Sequence, residues 1–251
     1  VVTMESREGA EPVVSPPANM TQPRRPAGRG RSWDRGAGIA GIVFIVLGLA
    51  NLVTPRTPDP QLATADFTAQ MGADLTGHQL SLWLGFLGSG AFMVFLAGLA
   101  GRMLRFEGPG AGFASLLRIA GTTYVAVLLL SLGAYLALVQ YGTTSEPDAA
   151  VRTALDLLVG WLGTGQIVPA LVAELAIGAA ALTTGALPRW LGWLTAATAV
   201  FTLLSLAWNI QTATEGILGI ADTIGFWLSV AWVLAISLVL LLRPGDEPDS
   251  T

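Results

Sequence analysis

The sequence contains no cysteine, a single histidine (His78) and no lysine; its 13 basic residues are all arginine. Without cysteine there are no disulfides, thiolate metal sites or cysteine nucleophiles. One histidine cannot build a multi-histidine zinc or haem centre. The replacement of lysine by arginine points to a GC-rich bacterial genome, a coding bias rather than a mechanism. Charge of either sign is scarce: 12% of the 251 residues are charged, against about 25% in a soluble domain. No glycine-rich phosphate loop follows a strand, so neither a nucleotide nor a nucleic acid is an expected partner. No serine or threonine sits beside a base in a hydrolase or protease motif, and no catalytic residue, metal ligand or cofactor is assigned.

What is present instead is apolar. Hydrophobic residues make up 53% of the chain, and the mean hydropathy is +0.62. A surface this poor in charge needs a solvent other than water. Six apolar segments supply the reason, at roughly 37–54, 80–101, 117–140, 159–184, 189–209 and 220–242. Each is close to the ~20 residues that a helix needs to cross a hydrocarbon core about 30 Å thick. None alternates strictly, which argues against a barrel, and helices satisfy their own backbone groups in lipid. The expected fold is all-α: a bundle of six transmembrane helices over 36–243, between a disordered tail (1–35) and a short acidic one (244–251).

Arginine sets the expected orientation. With the N-terminus inside, the inner pieces carry Arg7, Arg24, Arg25, Arg29, Arg31, Arg35, Arg102, Arg105, Arg118, Arg189 and Arg243, and the outer pieces only Arg56 and Arg152. Such an excess places both termini in the cytoplasm and the protein in a bacterial cytoplasmic membrane. The first segment has a basic flank, as a signal peptide does, but Asn51–Thr57 offers no small-x-small cleavage site, so it reads as a retained span. Trp33, Trp161, Trp190, Trp193 and Trp208 fall near span ends, where indole rings favour the headgroup level.

The loop 55–79 is the longest between spans. Asp59-Pro60 looks like a helix start, and Leu62, Phe67, Met71 and Leu75 recur at near-helical spacing. A helix on the outer membrane surface or capping the bundle is one reading, and a plain loop is the other. Ser145-Glu146-Pro147-Asp148 looks like a capping box opening the fourth span.

The turn Leu187-Pro188-Arg189-Trp190-Leu191-Gly192-Trp193 resembles the bacterial membrane family catalogued as domain of unknown function 4386. That family is similar in its basic first flank, its longer first outer loop and its arginine-bearing inner loop, here Arg102 to Arg118. The resemblance covers about residues 35–243. It implies the same architecture and no activity. The residues also explain themselves: proline suits a helix start, Arg189 reaches phosphates and Trp190 anchors the interface.

Glu174 is the residue most in need of a reason. Counting from Trp161 it lies thirteen residues into span four, roughly 20 Å at about 1.5 Å per residue. A buried acid there costs roughly 2–3 kcal/mol on insertion scales, so it should face the bundle or a watery cavity. One reading is proton, cation or polar-ligand handling. The plainer reading is an interhelical hydrogen bond to Tyr124, Thr122 or Thr123, or a pair with Arg118. Pro169, after Gly163-Thr164-Gly165-Gln166, should kink the span by freeing the Gly165 carbonyl. On an ideal helix Asp156, Gly163 and Glu174 share a stripe, so Asp156 could mark the mouth of the same path. Asn51, His78, Gln79, Asn209, Gln211 and Asp222 line either an outer vestibule or an ordinary interface. Small residues such as Gly98, Gly101, Gly178–Ala181 and Ala196–Ala199 read as helix-packing surfaces.

So few polar residues inside the bilayer favour a structural, regulatory or partner-binding role, with lipid and another membrane protein or a second copy as partners. The alternative is a small transporter or proton-coupled carrier working through Glu174. A membrane-embedded enzyme has the least support.

Overall fold

The computed structural model describes residues 28–108, 110, 112–144, 147–211 and 217–243, and over these the chain is helical with no strand. Eight helices follow in order: α1 (Gly28–Asn51), α2 (Thr64–Ala73), α3 (Leu75–Glu107), α4 (Gly112–Gly142), α5 (Ala149–Gly165), α6 (Ile167–Thr183), α7 (Arg189–Gln211) and α8 (Ile217–Leu242). Six helical stretches are long and apolar enough to cross a membrane: α1, α3, α4, α5 with α6, α7 and α8. No more than 44% of the most apolar stretch of any of them is buried. The rest shows large apolar side chains outward, among them Trp83, Ile119, Leu130, Val200 and Trp227. An exposed apolar surface of this extent belongs in lipid. The chain is a multi-pass membrane protein.

The six spans close into a ring. α1 packs on α3, α3 on α4, α4 on α6, α6 on α7, α7 on α8, and α8 back on α1. Small residues set the closest approaches. A Cβ on Gly98 of α3 would collide with Ala37 of α1, and one on Gly38 of α1 would lie 2.7 Å from the Ser237 carbonyl of α8. Gly192 of α7 likewise sits against Ala181 and Leu182 of α6. Without a hydrophobic force between helices in lipid, such close backbone approach drives their association.

Several helix ends differ from the hydropathy pattern. α1 begins at Gly28, so residues 28–35 of the expected disordered tail are helical; residues 1–27 and 244–251 lie outside the described residues. Tertiary contact explains the early start. Asp34 is fully buried and its carboxylate is bound by Arg105 and Arg102 of α3. α3 itself runs 33 residues, about 50 Å, well beyond the apolar core of its span. A helix has no reason to stop at the edge of the hydrocarbon, only at a breaker such as Gly108 with φ of 71°.

The loop after α1 does hold a helix, but Asp59-Pro60 does not start it. Asp59 Oδ1 accepts from the Gln61 N–H in a local turn, and α2 begins at Thr64. Phe67 and Met71 are fully buried against Leu138 and Val139 of α4, so α2 caps the bundle. Arg152 of α5 lies 4.4 Å over the Phe67 ring and donates from Nη2 to the Leu62 carbonyl at 3.1 Å. The helix that leads into the fourth span starts with Asp148 as its N-cap, accepting from Ala150 and Val151. The expected cap residues Ser145 and Glu146 lie outside the described residues.

Candidate functional site

The ring encloses a cavity of about 440 Å³, and every span contributes to its wall. Its apolar side comes from Phe44 and Ile45 of α1, Phe92 and Leu96 of α3, and Phe226 and Val230 of α8. Phe44 and Phe92 lie 4.4 Å apart by ring centroid, and Phe92 meets Tyr124 edge-on at 5.3 Å, which makes one aromatic wall. Polar side chains also line it: Gln166, Glu174, Thr202, Ser205, Asp222 and Ser229.

Glu174 is placed by α6, which brings Ala173, Ala176 and Ile177 into the core on the same face. Its residue is 4% exposed. Oε1 accepts from Thr202 Oγ1 at 3.0 Å, and Oε2 is buried with no hydrogen-bond partner. Asp222 of α8 is the second acid on the wall, where its Oδ1 accepts from Ser205 Oγ at 2.6 Å. Thr202 and Ser205 are three residues apart on α7, so the two acids are held at levels about 4.5 Å apart. Among the described lining residues none is basic, so nothing in the wall balances the two acids.

The hydroxyls belong to a longer stripe. Thr195, Thr198, Thr202, Ser205 and Asn209 recur every three or four residues along one face of α7. Thr195 Oγ1 accepts from Trp232 Nε1 at 2.8 Å and donates to its own helix, as Thr198 does. Asn209 donates to the Ser205 carbonyl and receives Thr164 Oγ1 at 3.4 Å. Sequence reasoning missed Thr202 and Ser205 as partners of the acids, though the 3–4 spacing of hydroxyls on an apolar helix was visible.

The expected partners of Glu174 divide. Tyr124 and Gln166 line the cavity with it, and Gln166 Oε1 is likewise buried without a partner. Thr123 does not reach it: the side chain is exposed and bonds back to the Ile119 carbonyl. Arg118 and Thr122 do not either. They line a separate groove of about 540 Å³ between α3 and α4. Rotation of α4 decides this, since Gly121 and Tyr124 face the ring while Arg118, Thr122 and Thr123 face outward. Pro169 acts through the backbone. Span four breaks between α5 and α6 at Gln166, where Gln166 N–H still reaches Leu162 and Ala170 N–H reaches Gln166. Gln166 at this interruption lines the cavity, and α5 packs on α4.

For the same reason Asp156 is not at the cavity mouth, because α5 packs on α4 outside the ring. Of the vestibule candidates whose side chains are described, Asp222 alone lines the cavity. Asn209 braces Ser205 behind it, and the side chain of Gln211 lies outside the described residues. Gln79 is exposed. Asn51 accepts from Ser81 Oγ at 2.7 Å, and His78 Nδ1 pairs with Tyr135 Oη at 2.7 Å beneath α2.

The cavity is shut toward the arginine-rich end. Below Glu174 the ring is filled by Leu99, Met103, Ile177, Ala180, Ile236 and Leu240. Beyond that plug, Arg102 donates from Nε to the Ala186 carbonyl at 2.8 Å and from Nη1 to the Arg243 carbonyl at 2.7 Å and to Asp34 at 3.4 Å. One guanidinium thus ties α1, α3, the α6–α7 turn and the end of α8. The hydropathy reading used these arginines for orientation only, and no local pattern marks Asp34 as their partner.

Among the described residues no three His, Asp or Glu side chains gather as metal ligands. Comparison with protein-family models, with curated proteins and with solved structures returned no match.

Proposed function

We propose that this chain is a carrier which binds a small, largely apolar molecule inside the ring, with Glu174 as the polar anchor. One observation carries the reading: a carboxylate 4% exposed, deep in a membrane span, lines a cavity of about 440 Å³ and keeps one oxygen buried without a hydrogen-bond partner. Ligand sites run from about 300 to 1,000 Å³, mostly apolar with a few placed polar groups. Ionisable residues within a bilayer mark substrate paths. A bundle built only to hold a partner has no use for such a void beside an acid.

Two features favour transport over storage. The cavity lies toward one end and is closed toward the other, as one state of an alternating cycle requires. Span four is broken at Gln166, beside the site, where a helix can bend. The arginine excess puts the closed end in the cytoplasm, with both termini there, and the membrane is a bacterial cytoplasmic one. The Leu187–Trp193 turn, similar to the family of domain of unknown function 4386, fits this architecture and adds no activity.

The absence of native cysteine makes the test direct. Ser229→Cys on the cavity wall, in proteoliposomes, is expected to react with a membrane-impermeant trimethylammonium methanethiosulfonate from either side. Arg118→Cys should react from the cytoplasmic side alone. Labelling of Ser229→Cys from a single side at all times would sink the carrier, and no labelling at all would sink the open cavity. Labelling of Arg118→Cys from the outer side would invert the topology.

A further inference from the structure

We infer that the molecule taken by this cavity is a lipophilic monocation, a protonated amine on an apolar body. The inference rests on the binding reading above and narrows it to a chemical class.

The polar lining is short of positive charge and of donors. Both acids already use the neighbouring hydroxyls: Thr202 donates to Glu174 and Ser205 to Asp222. Glu174 Oε2 is left over, buried without a partner on a residue that lines the cavity. An ionised carboxylate is acceptor-only, and no arginine or histidine lines the cavity among the described residues. Two acids at neighbouring depths with no counter-charge attract a cation strongly in a medium of low dielectric. A protonated amine supplies the charge and the donor together.

The aromatic part of the lining selects the rest of the molecule. Phe44, Phe92 and Tyr124 form a contiguous aromatic surface in the same cavity. Aromatic faces attract cations, and more so when both are desolvated. Apolar flanks from Ile45, Leu96 and Val230 leave a strongly hydrated ion such as sodium without a full oxygen shell. An amine with a compact hydrocarbon body satisfies both parts of the lining, and an anion satisfies neither. Asp222, paired with Ser205, lies about one helical turn farther from the arginine-rich end than Glu174, which is paired with Thr202.

The test compares two molecules of one shape, 1-aminoadamantane, charged at neutral pH, and 1-adamantanol, which is neutral. Binding is read from intrinsic tryptophan fluorescence and calorimetry on the full chain in nanodiscs, with empty nanodiscs as the blank. The amine is expected to bind at least about tenfold tighter than the alcohol, the worth of one charge-assisted hydrogen bond. That preference should vanish in Glu174→Gln and shrink in Asp222→Asn. Equal binding of the two probes to the native chain would overturn the cation and leave the cavity reading standing. Binding of neither would overturn both, and an unchanged preference in both variants would remove the acids from recognition.

Discussion

Asp34→Asn is the change that most directly probes how the ring is closed. The carboxylate is fully buried and receives Arg105 Nη2 on both oxygens at 2.6 and 2.7 Å, with Arg102 Nη1 at 3.4 Å. The two arginines are not equivalent. The Arg105 side chain is 37% exposed, so water screens its arm to about 1 kcal/mol or less. The Arg102 side chain is 4% exposed and cannot swing away, because the Ala186 and Arg243 carbonyls hold it. Neutralising Asp34 therefore removes the carboxylate bound to a buried cation, and removing one partner of such a pair costs about 3–5 kcal/mol. The retained carbonyl bonds place the expected loss at the low end, about 3 kcal/mol. The assay is reversible unfolding by SDS in mixed micelles, followed by tryptophan fluorescence. A double-mutant cycle apportions the loss, with an expected coupling of about 2 kcal/mol for Asp34 with Arg102 and under about 1 kcal/mol with Arg105. A loss for Asp34→Asn below about 0.5 kcal/mol, the size of an ordinary surface change, would refute the reasoning. So would a stronger coupling to Arg105 than to Arg102.

Other outcomes follow from the same geometry. Gly38→Ala should cost about 1–3 kcal/mol in the SDS assay, because its methyl would stand 2.7 Å from the fixed Ser237 carbonyl. Gly36→Ala, on the same helix with nothing within 4 Å of the added carbon, should instead gain up to about 1 kcal/mol; equal effects at both sites would discredit the close α1–α8 approach. Asp148→Ala removes the N-cap of α5 and should cost about 1 kcal/mol, with faster amide exchange at Ala150 and Val151 as the local signature. Unaltered exchange there would place the cap elsewhere.

The architecture was legible because it depends on sums along the chain. Six apolar stretches are visible by counting, and each became a helix long enough to span. The buried Glu174 and the interruption of span four at Gln166 were legible too, since an acid or a proline in lipid stands out against its neighbours. The site's composition was only half legible. Tyr124 and Gln166 line the cavity with Glu174, whereas Arg118 and Thr123, drawn in by depth alone, do not. Depth ignores rotation: a change of one residue turns a helical side chain by about 100°, enough to move it from the ring to the lipid face. Asp34 was lost in a polar segment that reads as disordered until α3 is placed beside it.

By itself, the sequence determined the solvent, the number of crossings and the arginine bias between the two sides. These are local or additive properties, since transfer from water to hydrocarbon is summed residue by residue along a helix. Only the tertiary structure decided which polar groups meet. Glu174 finds Thr202 across 28 residues, and Asp34 finds Arg102 and Arg105 across 68 and 71. Such pairs depend on the order of helices around the ring and on the face each turns inward. Both are set by backbone approach at small residues on different spans, which no single stretch of sequence contains.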